Sequence, residues 1–102
     1  MNDDKVYLKE GVDLNGIDVG IIEELPTICF VLNNYGSPLV LTSGLEGEHM
    51  EGSLHYEGKA VDVRTWHIEG REDEVVSKLI EKLPDYFDVV LEPTHIHIEL
   101  DD

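Results

Sequence analysis

A chain of 102 residues, 41% of them hydrophobic, is long enough for one domain with a modest core. Its 23 acids against 7 bases leave a net charge of −16, which argues against a nucleic-acid partner, because a phosphate backbone is held by clustered Lys and Arg. No run of 18 apolar residues is present, so no membrane span is expected.

The opening "MNDDKVYLKE" is acidic and polar, so no secretory signal is expected and synthesis in the cytoplasm fits. From Leu14 to Tyr35 apolar residues recur near helical spacing. Pro26 stands in the middle, which predicts two short helices or one kinked helix. The lone Cys29, inside "TICFVL", cannot form an internal disulfide and reads as a buried thiol. "NNYGSP" is a turn, and Pro38–Ser43, "PLVLTS", reads as a buried strand. "GLEGEHMEGSLHYEG" is rich in Gly and acid and reads as a loop able to gather a cation.

Lys59–Trp66, "KAVDVRTW", alternates as a strand. "REDEVVSKLIEKL" is the clearest helix. Acids lead its first turn, Val75, Val76, Leu79, Ile80 and Leu83 form one face, and Pro84 stops it. "FDVVLE" and "THIHIEL" are two final strands broken by Pro93. The fold class expected is α+β, with helices on one face of a small, mainly antiparallel sheet, all within one domain over residues 1–102.

Strand alternation then sorts the chemistry. With Val61 and Val63 toward the core, Asp62 is presented on the other face beside small Ala60. In the last strand Ile96, Ile98 and Leu100 point one way, and His95, His97 and Glu99 the other. These polar residues are zinc-ligand types, and a catalytic zinc keeps three protein ligands and an open position. His55, Asp62 and one of the two terminal histidines complete such a set.

The stretch "SLHYEGKAVDVRT" resembles a segment of the zinc D-Ala-D-Ala carboxypeptidases and murein endopeptidases that share the hedgehog signalling-domain fold. The shared pattern is Ser-x-His-x-x-Gly-x-Ala-x-Asp, here Ser53, His55, Gly58, Ala60 and Asp62. It is followed near the C-terminus by His-x-His, here His95–Ile96–His97. The resemblance spans about Pro38 to Leu100, and residues 1–37 match it only loosely. It implies zinc ligands His55, Asp62 and His97, with His95 beside the site. It also implies that His49, six residues before His55, either supports a zinc ligand or stabilises the transition state, with His49 or His95 as the group that meets the oxyanion. Many of these peptidases carry an acid three residues before the last ligand, where this chain has Thr94. Glu92 resembles the glutamate that precedes His-x-His in hedgehog domains and becomes the expected general base, with Pro93 turning it toward the metal.

The function so implied is a zinc peptidase, carboxypeptidase or endopeptidase, that cleaves bacterial peptidoglycan stem peptides. The absence of a recognisable signal suits a bacteriophage enzyme released at lysis or carried in the particle. The rival is a zinc-stabilised binding module, which hedgehog domains exemplify on this scaffold. A third reading is a calcium-dependent variant, with Glu46, Glu48 and Glu51 gathering the ion.

Overall fold

The strands of this chain alternate, and the computed structural model, which describes residues 5–45 and 58–101, turns that alternation into a sheet with one covered and one open face. Five strands are present among the described residues: β1 (Val6–Leu8), β2 (Leu39–Ser43), β3 (Ala60–Arg64), β4 (Phe87–Leu91) and β5 (His95–Leu100). Two helices, α1 (Val19–Asn34) and α2 (Glu72–Lys82), accompany them. The strand order is β1-β2-β3-β5-β4. β1 runs parallel to β2 and the other pairings are antiparallel. The architecture is α+β with a five-stranded mixed sheet.

Both helices pack on the covered face. Ile21, Ile28, Val31 and Leu32 of α1 and Val75 and Leu79 of α2 share one core with Leu39, Leu41, Val61, Val63, Ile96 and Ile98. Cys29 is buried there as a thiol outside any disulfide. At ~25 cal/mol per Å² of apolar surface removed from water, each such aliphatic side chain contributes about 1.5–3 kcal/mol, and this layer is what holds the sheet flat against the helices.

Two local expectations are corrected, and of the two forms that Pro26 left open the chain takes one: residues 19–34 form a single helix that runs through Pro26. A proline removes the hydrogen bond to the carbonyl four residues earlier. Here Ile22 and Pro26 both lie on the exposed side of α1, where water can take that carbonyl. Ile80 does not join the buried face of α2: it is 59% exposed, while Val75, Leu79 and Leu83 carry the packing. The short strand β1 was not expected at all. All three of its residues are exposed, and its identity comes from parallel pairing with Leu39–Leu41.

The β2–β3 pairing carries a bulge, in which Leu41 faces Val63 but Ser43, not Thr42, faces Asp62. Bulges bend a strand and re-aim side chains, and they recur beside functional sites. Both ends of the long β2–β3 connection are held by one segment. Leu45 N donates to the Asp13 carbonyl (2.8 Å), and Asp18 N donates to the Gly58 carbonyl (2.8 Å). Gly58 has a φ of +74°, and a Cβ there would collide with the Gly16 carbonyl, so only glycine fits.

Candidate metal centre on the open face

The antiparallel register of β3 and β5 sets Asp62 directly opposite His97, Arg64 opposite His95 and Ala60 opposite Glu99. Val61 and Val63 face Ile98 and Ile96 on the covered side. The alternation of both strands therefore builds the polar cluster without any loop. The small Ala60 leaves room beside it.

Asp62 is the centre of this cluster and is 8% exposed, one of the two buried polar residues among those described. A carboxylate so placed needs partners, because burying an unpaired charge is costly. His97 Nδ1 lies 2.9 Å from Asp62 Oδ1, and His95 Nε2 lies 3.6 Å from Asp62 Oδ2. His97 Nε2 in turn lies 2.8 Å from Glu99 Oε1. Thr94 Oγ1 is 3.0 Å from His95 Nδ1. Asp62 and His97 also take part in interactions beyond these.

An imidazole that donates to a carboxylate from each nitrogen is held protonated. The hydrogen bond to Asp62 raises the pKa of His97 above its ordinary value. Glu99 adds to the rise, and burial opposes it without cancelling it.

Asp62, His95 and His97 are residue types that zinc accepts as ligands. Two ligand atoms bonded to one tetrahedral zinc at about 2.0–2.2 Å stand about 3.3–3.6 Å apart. The Asp62–His95 separation of 3.6 Å has that spacing, and the Asp62–His97 separation of 2.9 Å is the tighter spacing of a hydrogen bond. Loss of the His97 proton and a movement of roughly half an ångström would convert the second into the first. A metal-ligating histidine commonly donates its other N–H to a carboxylate, which fixes ring orientation and raises ligand basicity. Glu99 stands in that position behind His97. Its role was missed in the sequence, although its position two residues after His97 on the same strand face is the signal that finds it.

Among the described residues no three His, Cys, Asp or Glu side chains already form a group spaced for a metal ion. The structure brings together Asp62, His95 and His97. The expected third ligand His55, the expected stabilising His49 and the acids Glu46, Glu48 and Glu51 lie outside the described residues.

Glu92 sits in the tight β4–β5 turn, where its N–H donates to the His95 carbonyl (2.8 Å). The ladder thus runs regularly through Glu92, and Pro93 follows it in the turn without the irregularity expected to swing it toward the metal. Glu92 lines a shallow depression with Thr65, Glu72, Leu91 and Pro93. Its carboxylate makes no hydrogen bond or ion pair with Asp62, His95 or His97.

No helix among the described residues is long and apolar enough to cross a membrane. No protein-family model, no curated protein and no solved structure matches the chain, so the resemblance read from Ser53–Asp62 and His95–His97 rests on those residues alone.

Proposed function

We propose that this protein is a zinc peptidase of the hedgehog-like, D-Ala-D-Ala peptidase type that cleaves stem peptides of bacterial peptidoglycan. The observation that carries the reading is the meeting of Asp62 with both His97 and His95 on the open sheet face, in the order and spacing of the motif. Asp62, His97 and His55 would hold the ion. When bound, zinc acts as a Lewis acid toward the scissile carbonyl and lowers the pKa of water toward about 7.

This chain's own residues do the rest. Glu99 fixes the His97 ring through Nε2. Glu92 accepts a proton from the attacking water and delivers it to the leaving amine. His95, aligned by Thr94, offers its Nε2–H to the developing oxyanion, and His49 shares that task. A phage origin, with release at lysis, remains part of the proposal, as does calcium held by Glu46, Glu48 and Glu51.

One observation favours the rival, a zinc-stabilised binding module. The Glu92 side chain lines its own depression and its carboxylate makes no hydrogen bond or ion pair with the histidines, and Thr94 replaces the acid that many of the peptidases carry. The deciding experiment is digestion of purified peptidoglycan by zinc-loaded protein, with fragments identified by mass. New amine and carboxylate termini in the stem peptide support the peptidase. Bound zinc with intact crosslinked and soluble muropeptides supports the module. In the first case Glu92→Gln should keep the zinc and lose roughly 10²-fold or more in turnover.

A further inference from the structure

The two outer edges of the sheet carry opposite charge. β1 is one edge and β4 the other, and among the described residues no strand lies beyond either. β1 with its flanks reads Lys5-Val6-Tyr7-Leu8-Lys9, and the end of β4 reads Asp88-Val89-Val90-Leu91-Glu92. Each is a run of three apolar residues between two like charges, basic on one edge and acidic on the other. Val6, Tyr7, Leu8, Val90 and Leu91 are each at least about a third exposed. Among the described residues neither Lys5 nor Lys9 makes an ion pair.

Alternation places both sets of charges on the same face. Val6 and Leu8 pair with the buried Leu39 and Leu41, so Tyr7, and with it Lys5 and Lys9, belongs to the open side. On β4, Val90 pairs with His97 and Asp88 with Glu99, again on the open side, and Glu92 continues that period. The backbones match as well. Lys9 N donates to the Leu41 carbonyl, which turns the odd positions toward β2 and the N–H and C=O of Val6 and Leu8 outward. Glu92 N donates to the His95 carbonyl and Asp101 N to the Tyr86 carbonyl, which turns the even positions of β4 toward β5 and those of Val89 and Leu91 outward.

β4 runs opposite to β1. A second copy in the same orientation therefore sets its β1 antiparallel beside β4, with both open faces on one side. In a single register Leu8 faces Val89 and Val6 faces Leu91 as hydrogen-bonded pairs. Lys9 faces Asp88, Tyr7 faces Val90 and Lys5 faces Glu92 at the positions between, where side chains stand closer. Opposite charges directly across two strands stabilise the pairing, and like charges oppose it. Edge lysines ordinarily guard a strand against pairing. Here the guard is selective. β1 against β1 sets Lys against Lys, β4 against β4 sets acid against acid, and β1 against β4 is the combination the charges favour.

We propose that this protein associates with itself head to tail, β1 of one copy adding to β4 of the next and extending the sheet. The contact does not rest on the peptidase reading and needs no metal. It is heterologous, so each assembly keeps one open edge at either end and grows beyond two copies. The strand added is three residues long, so the contact is small and the association weak, with a Kd on the order of 10⁻⁴ M. Glu92 meets Lys5 in the assembled form and stays available in the single copy for the proton transfer proposed above.

The test is sedimentation of the full chain at concentrations up to about 1 mM, with and without zinc. Salt is held at about 0.15 M, where repulsion between copies of net charge −16 is screened beyond about 8 Å while directly apposed pairs persist. The parent should form species larger than a dimer as concentration rises, and the amide shifts of Val6, Leu8, Val89 and Leu91 should move with it. Lys5→Glu with Lys9→Glu, and separately Asp88→Lys with Glu92→Lys, should each weaken association at least about 10-fold. An equimolar mixture of the two variants should recover it, because acidic β1 then meets basic β4 and basic β1 meets acidic β4. Leu8→Pro removes one outward N–H and no bond to β2, and it should weaken association with little change in the melting temperature of the single copy. A parent that stays monomeric at about 1 mM, growth that stops at a symmetric dimer, variants that associate like the parent, or a mixture that stays apart would each overturn the proposal. A monomeric parent whose β1 amides shift with an unrelated extended acidic peptide would assign that edge to a foreign partner and overturn self-association as well.

Discussion

On β5 the covered face carries Ile96, Ile98 and Leu100, almost wholly removed from water, while the open face carries His95, His97 and Glu99, all part-exposed. β3 keeps the alternation but is buried on both sides, with Val61 and Val63 under the helices and Ala60 and Asp62 on the opposite side. One face is held by non-directional burial spread over many residues from six elements. The other is held by a few directional contacts that converge on one carboxylate. The difference teaches where each substitution should be felt. A change beneath the sheet should act on folding and leave the chemistry alone, and a change above it should act on metal and protons with a smaller effect on the metal-free fold.

The largest expected effect lies on the covered face. Ile98 is fully buried in the shared core and pairs with Val61 of β3 and Val89 of β4, and Ile98→Ala should destabilise the protein by about 2–5 kcal/mol in urea unfolding. Zinc stoichiometry of the folded fraction should not change. Loss of zinc with unchanged stability would break the division between the faces.

Next come the histidines of the open face. His97→Ala should abolish the stabilisation that zinc gives the parent, about 2.7 kcal/mol at a free zinc concentration 100 times Kd, because the metal binds only the folded state. His95→Ala should keep most of it. The opposite pattern in thermal melts would exchange their roles.

A smaller effect follows from the proton on His97. Its folded pKa is raised, chiefly by Asp62 and then by Glu99. In metal-free protein the stability this contributes is complete below the unfolded value, near 6.5, and is lost as pH rises through the higher folded value. Zinc needs the neutral nitrogen, so its affinity should rise over the same interval. Among the described residues the groups around His97 include Asp62, His95 and Glu99, with Asp88 across from Glu99. Melting curves with and without zinc should therefore diverge as pH increases above about 6.5, and His97→Gln should remove the slope. Parallel curves would deny His97 its coupled proton. The smallest effect belongs to Ile80, exposed on α2, where Ile80→Ser should stay within about 0.5 kcal/mol in the same urea assay.

What was legible beforehand follows the same two faces. The period of two in "HIHIEL" and "AVDVR" assigns both sides of the central strands without any long-range information, and the structure keeps those assignments. Helix α2 was legible from its acidic first turn and from Val75, Leu79 and Leu83. β1 was not, because "VYL" has no buried residue and becomes a strand only through its partner β2. For α1 the sequence left two short helices or one kinked helix open, because Pro26 normally stops a helix, and only tertiary placement shows that its orphan carbonyl faces water. Within the site, Asp62 and the two histidines were readable from alternation. The Ser43 bulge and the regular turn that sets Glu92 apart depend on pairing register, which no local pattern encodes. Glu99 was visible on the right face but was passed over, since its part is to hold His97 and not the ion.

The claim that the open face is a metal centre is tested most directly by metal analysis of purified protein beside Asp62→Ala. Asp62 touches both histidines, so one carboxylate decides the site. The parent should retain close to one equivalent of zinc after dialysis against metal-free buffer, and the folded Asp62→Ala variant should retain essentially none. A parent that holds no zinc even after loading, or an Asp62→Ala variant that holds as much as the parent, would contradict the assignment.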